Sequence, residues 1–171
     1  HGIRSSLKYP ELLKAELRAL KRVAEEGKKV GVMMPQIIST EEVRKTKEYM
    51  SQVGFHDNIE LGIMVETPAA VQVIEEMCDE GIKFISFGTN DLTQFTLALD
   101  RGNEECQPLY SEMHPAVIKQ IQHVISVCKR RGVETSICGQ AGSRKDMAKI
   151  LVEAGIDSIS VNADAAGDLS V

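Results

Sequence analysis

Three residues capable of chemistry each close a short apolar run. Glu66 ends Gly62-Ile63-Met64-Val65-Glu66 and is followed by Thr67-Pro68. Asp91 lies just past Lys83 to Phe87, in Gly88-Thr89-Asn90-Asp91-Leu92-Thr93-Gln94, and Cys138 ends the run Glu134 to Cys138 and precedes Gly139-Gln140. Ligands of α/β proteins gather at the C-terminal ends of parallel strands, so these three positions are candidates for one site. Two carboxylates from adjacent strand ends suit Mg2+, a hard cation that takes oxygen ligands and keeps positions open for water or substrate. The same residues also fit a plainer arrangement, with Glu66 capping the following helix and Asp91 serving a turn. Arg101, ten residues after Asp91, and Arg4, beside a glycine, could clamp a phosphoryl group bidentately, although most arginines are surface residues. The Cys138 thiol could reach a cleft as proton donor or nucleophile. Cys78 and Cys128 fall on apolar helix faces and read as core, and Cys106 as a loop thiol. No histidine is assigned a role: His114 reads as a helix start, His56 and His123 as surface, His1 as the terminus. Neither G-x-x-x-x-G-K-[ST] nor G-x-G-x-x-G occurs, so the chain has no nucleotide motif of its own.

The elements that must position these residues follow a repeat: amphipathic helix, glycine, short apolar strand. It occurs five times. Leu13, Leu17, Leu20 and Ala24 keep helical spacing up to Gly27, and Val30 to Met34 reads as a buried strand. Ser39 and Glu42 form a capping-box pattern for a helix through Met50 that stops near Gly54, ahead of a strand from Glu60 to Glu66. Thr67 and Pro68 open a helix with Ala70, Val73, Ile74, Met77 and Cys78 on one face, closed by Gly81 before a strand at Lys83 to Phe87. His114-Pro115 starts the most regular helix, with Val117, Ile118, Ile121, Val124, Ile125 and Cys128 in one stripe before Gly132 and a strand at Glu134 to Cys138. Ser143 and Asp146 begin a last helix, closed by Gly155 and followed by a strand at Ser158 to Val161. Such alternation gives parallel strands joined by helices, hence an α/β fold. Gly62, Met64 and Glu66 would share one strand face and Leu61, Ile63 and Val65 the other. Likewise Ser158, Ser160 and Asn162 oppose Ile159 and Val161. Small or polar residues on one face and aliphatic ones on the other suit a barrel interior better than an open sheet covered on both sides. The expectation is a partial (β/α)8 barrel of about five units, forming one domain over residues 1–171.

The chain has 171 residues, 43% hydrophobic and 26% charged, which suits one soluble globular core with no membrane span. A net charge of -5 argues against sequence-independent nucleic-acid binding, while leaving room for a small anion held by a few arginines. The four cysteines form no C-x-x-C pair, which fits reduced thiols in the cytoplasm. The start at His1-Gly2-Ile3-Arg4 carries neither initiator Met nor leader pattern and reads as a fragment end. With five strands where a closed barrel needs eight, the first and last would offer unpaired backbone, so self-association into a homo-oligomer is expected.

Several runs together resemble one family. Glu66-Thr67-Pro68-Ala69-Ala70, Phe87 through Gln94 continuing to Asp100-Arg101-Gly102-Asn103, His114-Pro115-Ala116-Val117 and Cys138-Gly139-Gln140 look like the PEP-utilising enzymes. That family includes phosphoenolpyruvate synthase, pyruvate phosphate dikinase and enzyme I of the sugar phosphotransferase system. The likeness runs in order over essentially the whole chain. Cys138-Gly139-Gln140-Ala141 and Gly155 to Ser160 are similar to the synthase branch, since the other branches usually have glutamate after Cys-Gly. The resemblance implies that Glu66 and Asp91 ligate Mg2+, which chelates pyruvate. It also implies that Arg4 and Arg101 hold the phosphoryl group, that Asn90 adds a hydrogen bond, and that Cys138 moves the proton at the methyl carbon. Positive charge beside a developing enolate oxygen and a proton acceptor on the carbon side are what that chemistry requires. The implied partners are pyruvate or phosphoenolpyruvate and two domains of a parent chain, an ATP-grasp domain and a phosphohistidine domain. Two departures are visible. A phosphate-binding arginine expected upstream of Arg4 is not in this chain, and Gly31 stands where the phosphotransferase branch has an arginine. Two other readings compete: a Mg2+-dependent aldolase or lyase on a similar barrel, and a fragment that serves only for oligomerisation or binding.

Overall fold

The computed structural model describes residues 10–27, 30–54, 59–100, 102, 111–137 and 144–160. Among these residues five strands form one parallel sheet in strictly sequential order: β1 (Val30–Met34), β2 (Ile59–Val65), β3 (Phe84–Phe87), β4 (Glu134–Ile137) and β5 (Ser158–Ile159). The helices among the described residues are α1 (Pro10–Glu25), α2 (Thr40–Gln52), α3 (Pro68–Gln72), α4 (Ile74–Asp79), α5 (Thr89–Leu97), α6 (Pro115–Arg131) and α7 (Lys145–Ala154). Sequential order without reversal separates this sheet from a doubly wound one, in which strand order turns back at a switch point.

Burial shows that the described helices lie on one face. Val30, Met34, Leu61, Ile63, Val65, Ile85, Phe87, Thr135 and Ile137 point to the helices and are buried. Gly31, Met33, Glu60, Met64, Phe84, Ser136 and Ser158 point the other way and are exposed or half-buried. The helices pack side by side in the order α1, α2, α4, α6, α7, a single outer layer. A sheet curling with its helices outside is five consecutive units of a (β/α)8 barrel, as the alternation within β2 predicts. The core is one continuous cluster between helix layer and sheet, including Leu17, Ile63, Ile74, Ile85, Ile121 and Leu151.

Local signals act where they stand in the chain. The Glu42 carboxylate accepts from the Ser39 and Ile38 N–H groups at 3.1 and 2.7 Å, the carboxylate half of the predicted capping box. Thr67 caps α3, with its Oγ1 accepting from Ala70 N at 3.1 Å, and His114 Nδ1 caps α6 by accepting from Ala116 N at 3.1 Å. Gly132 ends α6 in the left-handed conformation, φ 69°, that glycine adopts without steric cost. Three details differ from the sequence reading. The helix expected after Thr67 is interrupted at Val73, whose ψ of 24° divides it into α3 and α4 and leaves Val73 half-buried. The Gly88 to Gln94 motif, read from sequence only as the stretch following a strand, starts a further helix, α5. The last helix has Arg144 as its N-cap, and Ser143 lies outside the described residues. Among the described residues, no helix is long and apolar enough to cross a membrane.

Candidate active site

The register of the two central strands builds the site. Val65 pairs with Phe87, so β2 and β3 finish level and the residues that follow, Glu66 and Gly88, become neighbours. Gly88 has no side chain, and the Glu66 side chain occupies the space: a Cβ there would stand 2.5 Å from Glu66 Cγ and 3.0 Å from Cδ and Oε2. α5 begins immediately after Gly88 and carries Asn90 and Asp91 in its first turn, where the helix dipole favours a negative charge. The two carboxyl groups meet there, Asp91 hydrogen-bonding the Glu66 side chain.

The loop after β1 supplies the third wall. Gln36 N donates to Glu66 Oε1 at 3.2 Å, and Thr67 Oγ1 donates to Ile37 O at 2.8 Å. Gln36 holds a left-handed φ of 47°, uncommon for a residue with a side chain. Strain of this kind costs on the order of 1 kcal/mol or more and persists where the surroundings over-determine it. Here the conformation turns a backbone N–H toward a carboxylate.

Glu66 is buried, and its pKa is raised from the ordinary 4.5 to about 7. Burial is the largest cause; the hydrogen bond and the charge of Asp91 add to it, and the Gln36 N–H opposes it. Two carboxyl groups so placed cannot both ionise cheaply unless a cation joins them or a proton stays between them. The donor set therefore fits Mg2+, with Glu66 and Asp91 as hard oxygen ligands. Among the described residues, no group of three or more acidic, histidine or cysteine side chains could hold a metal ion.

Of the residues singled out from sequence, Glu66, Asn90 and Asp91 are brought to one end of the sheet, with Asn90 and Asp91 half-buried. Arg4, Arg101, Cys138 and Cys106 lie outside the described residues. Cys78 and Cys128 are buried, as their helix faces indicate, and His123 is exposed. Sequence reasoning missed Gln36 and Gly88. For Gly88 a signal existed, a glycine between a strand and a polar run, which often marks a close approach. For Gln36 there was none, because its contribution is backbone.

Comparisons with known proteins show the family. Residues 1–168 match the model of the PEP-utilising enzyme, PEP-binding domain. The chain is 59% identical over 167 residues to a protein of Pyrococcus abyssi named probable phosphoenolpyruvate synthase, covering 96% of this chain and 20% of that protein. It is 57% identical to phosphoenolpyruvate synthase of Pyrococcus furiosus with the same coverage, and 40% identical to phosphoenolpyruvate-protein phosphotransferase of Haemophilus influenzae, covering 95% of this chain and 29% of that protein. The chain thus spans about a fifth of the synthase-named relatives' length. Among solved structures, an HpcH/HpaI aldolase of Desulfitobacterium hafniense aligns with TM-score 0.60 at 19% identity, over 88% of this chain and 63% of the other. A citrate lyase of Burkholderia xenovorans aligns with TM-score 0.60 at 18% identity, over 80% of this chain and 46% of the other. At such identities the likeness is one of fold, and it supports the partial barrel. A match running nearly the length of the chain, with relatives more than half identical across it, makes this chain a member of the PEP-utilising enzyme family, as its PEP-binding domain.

Proposed function

We propose that this chain is the phosphoenolpyruvate- and pyruvate-binding part of a phosphoenolpyruvate synthase, with Glu66 and Asp91 as the protein ligands of Mg2+. The observation that carries this reading is the meeting of two carboxyl groups at the ends of β2 and β3, one of them buried and raised to about 7. Such a pair is stabilised by a divalent cation more than by solvent. The synthase branch is favoured by identity, 53–59% to synthase-named relatives against 37–40% to the phosphotransferase-named ones, and by glutamine after Cys138-Gly139.

In the intact enzyme the reaction is ATP, pyruvate and water giving AMP, phosphoenolpyruvate and phosphate, by way of a phosphohistidine on another domain. When bound, Mg2+ supplies positive charge beside the carboxylate and enolate oxygens of pyruvate. The chain's own residues do the rest. Cys138 takes a proton from the pyruvate methyl carbon, and the enolate oxygen attacks phosphorus as the phosphorus–nitrogen bond to histidine breaks. Arg4 and Arg101 hold the phosphoryl oxygens in line, and Asn90 donates to them. The Gln36 N–H and the space at Gly88 fix the position of the Glu66 carboxylate that would hold the cation.

The test uses the full-length protein. Glu66→Gln and Asp91→Asn should each abolish Mg2+-dependent turnover while leaving the circular dichroism spectrum unchanged, because each removes a ligand charge and no packing. Wild-type turnover in either variant would overturn the metal assignment. Cys138→Ala should stop solvent-proton exchange at the pyruvate methyl group and spare pyruvate binding. Unchanged exchange would return Cys138 to a structural role.

A further inference from the structure

α5 carries Asn90 and Asp91 in its first turn, yet little apolar surface holds it in place. Thr89, Leu92, Thr93 and Thr96 follow helical spacing along one face. Leu92 is the hydrophobic residue of α5 that enters the core, Phe95 is exposed, and the last turn holds none of the buried residues. A face made mostly of threonine resists rotation weakly, because short hydroxyl side chains bury little apolar area. α5 packs against α6, and a polar bond between the two supplies what apolar packing does not.

That bond comes from Gln120, in the second turn of α6. Its Nε2 donates to Thr96 Oγ1 at 2.8 Å and to Ala116 O of its own helix at 3.1 Å. A carbonyl can only accept, so the Ala116 contact fixes which end of the amide faces Thr96. The other end, Oε1, is buried, and among the described residues nothing hydrogen-bonds it. A buried acceptor without a donor destabilises the fold, and an apolar side chain of the same length would cover the same ground without that cost. A second unfavourable feature stands two residues past Thr96. Ala98 closes α5 with a left-handed φ of 54°, its N–H directed to Gln94 O. Strain of this kind persists where the surroundings over-determine it. Both features fix where α5 ends and how it is turned, at a cost in stability.

We propose that Gln120 is a positioning residue for the cation site, clasping the last turn of α5 to α6 so that Asp91 keeps its place beside Glu66. The role rests on Asp91 being a cation ligand. A helix with its side chains has a radius of about 5 to 6 Å, so rotating α5 by about 10° about its axis carries a carboxylate on its surface by about 1 Å. The same rotation moves Thr96 Oγ1 by a similar amount, enough to take a 2.8 Å bond out of hydrogen-bonding range. The bond to Ala116 O ties the amide to α6, so the clasp transmits the position of the long helix to the short one. Thr96 lies midway in the chain between Asp91 and Arg101, and the clasp therefore also fixes where the chain sets out toward Arg101.

The experiment compares the full-length wild type with Gln120→Met, Thr96→Val and the double variant. It measures calorimetric Mn2+ affinity without substrate, pyruvate-dependent turnover and melting temperature. Methionine keeps the length of the side chain and removes the unmet acceptor. Thr96 is not stranded, because a threonine hydroxyl in a helix can turn to the carbonyl four residues back. In Gln120→Met, Mn2+ affinity should weaken about 3- to 10-fold and turnover fall about 10-fold, with a melting temperature equal to or above that of wild type. Thr96→Val should reproduce both losses, and the double variant should be no worse than either single one, since all remove the same bond. If Gln120→Met fails to fold, Thr96→Val reads that bond alone. Wild-type Mn2+ affinity in the folded variants, losses that multiply in the double variant, or losses that track a falling melting temperature would each overturn the proposal. Asp91→Asn separates this from the cation assignment: wild-type Mn2+ affinity in Asp91→Asn would overturn both, whereas wild-type affinity in Gln120→Met and Thr96→Val with binding lost in Asp91→Asn overturns the clasp alone.

Discussion

Gly88→Ala should disable the site while leaving the protein folded. The backbone at Gly88 does not require glycine: φ is -99°, its N–H donates to Val65 O at 3.1 Å, and its carbonyl accepts from Leu92 N at 3.0 Å. What requires glycine is the Glu66 side chain, because an added Cβ would stand 2.5 Å from Glu66 Cγ. Carbon atoms in contact sit about 3.5 to 4.0 Å apart, so Glu66 must retreat by about 1 Å. Retreat breaks either the 3.2 Å bond from Gln36 N or the contact with Asp91. A misplacement of about 1 Å typically costs on the order of 100-fold in turnover. The stability cost is smaller, about 1 to 3 kcal/mol for overpacking, offset by about 0.4 to 1 kcal/mol from the stiffer unfolded chain. The assays are pyruvate-dependent turnover and calorimetric Mg2+ or Mn2+ affinity of the full-length variant, beside its melting temperature. Turnover within about twofold of wild type with unchanged cation affinity would refute the reasoning, since Glu66 would then not depend on that space.

Three further predictions follow from other parts of the molecule. Folded Glu66 titrates near 7 against an ordinary 4.5, so between those values the folded state holds more protons than the unfolded one. Cation-free protein should therefore lose stability as pH rises from about 4.5 to about 7 and level off above. Glu66→Gln should flatten that slope in urea titrations, and cation affinity should tighten as pH rises through about 7, with proton release. In β2, a Cβ on Gly62 would enter the Phe84 ring, so Gly62→Ala should cost about 1 to 3 kcal/mol and lower the melting temperature, with Phe84→Leu restoring part of the loss. Finally, among the described residues β1 and β5 stand at the two edges of the sheet. The 171-residue chain in isolation should self-associate through those edges in light scattering; a monodisperse monomer at high concentration would contradict that.

The sequence by itself determined the features that depend on neighbours in the chain. β1 runs Val30–Met34 as its apolar run predicts, Thr67-Pro68 and His114-Pro115 start helices, and Gly132 and Gly155 end them. Alternation within β2 also foretold which of its faces meets the helices. α5 escaped because it lacks an apolar stripe: Thr89 and Thr93 take buried positions, and Thr93 Oγ1 satisfies itself by donating to Thr89 O at 2.6 Å. The interruption at Val73 escaped because no residue there demands it. The types of the site residues Glu66 and Asp91 were visible from their places after strands, and their meaning as a family signature was visible from the run of motifs. Their meeting was decided only by tertiary structure. It depends on the level ends of β2 and β3, on a glycine whose missing side chain makes room, and on a backbone N–H of Gln36, thirty residues from Glu66. Local rules act through propensity and periodicity over one or two turns of chain. Strand register and the burial that raises Glu66 arise from contacts between distant segments, and those exist only once the sheet has formed.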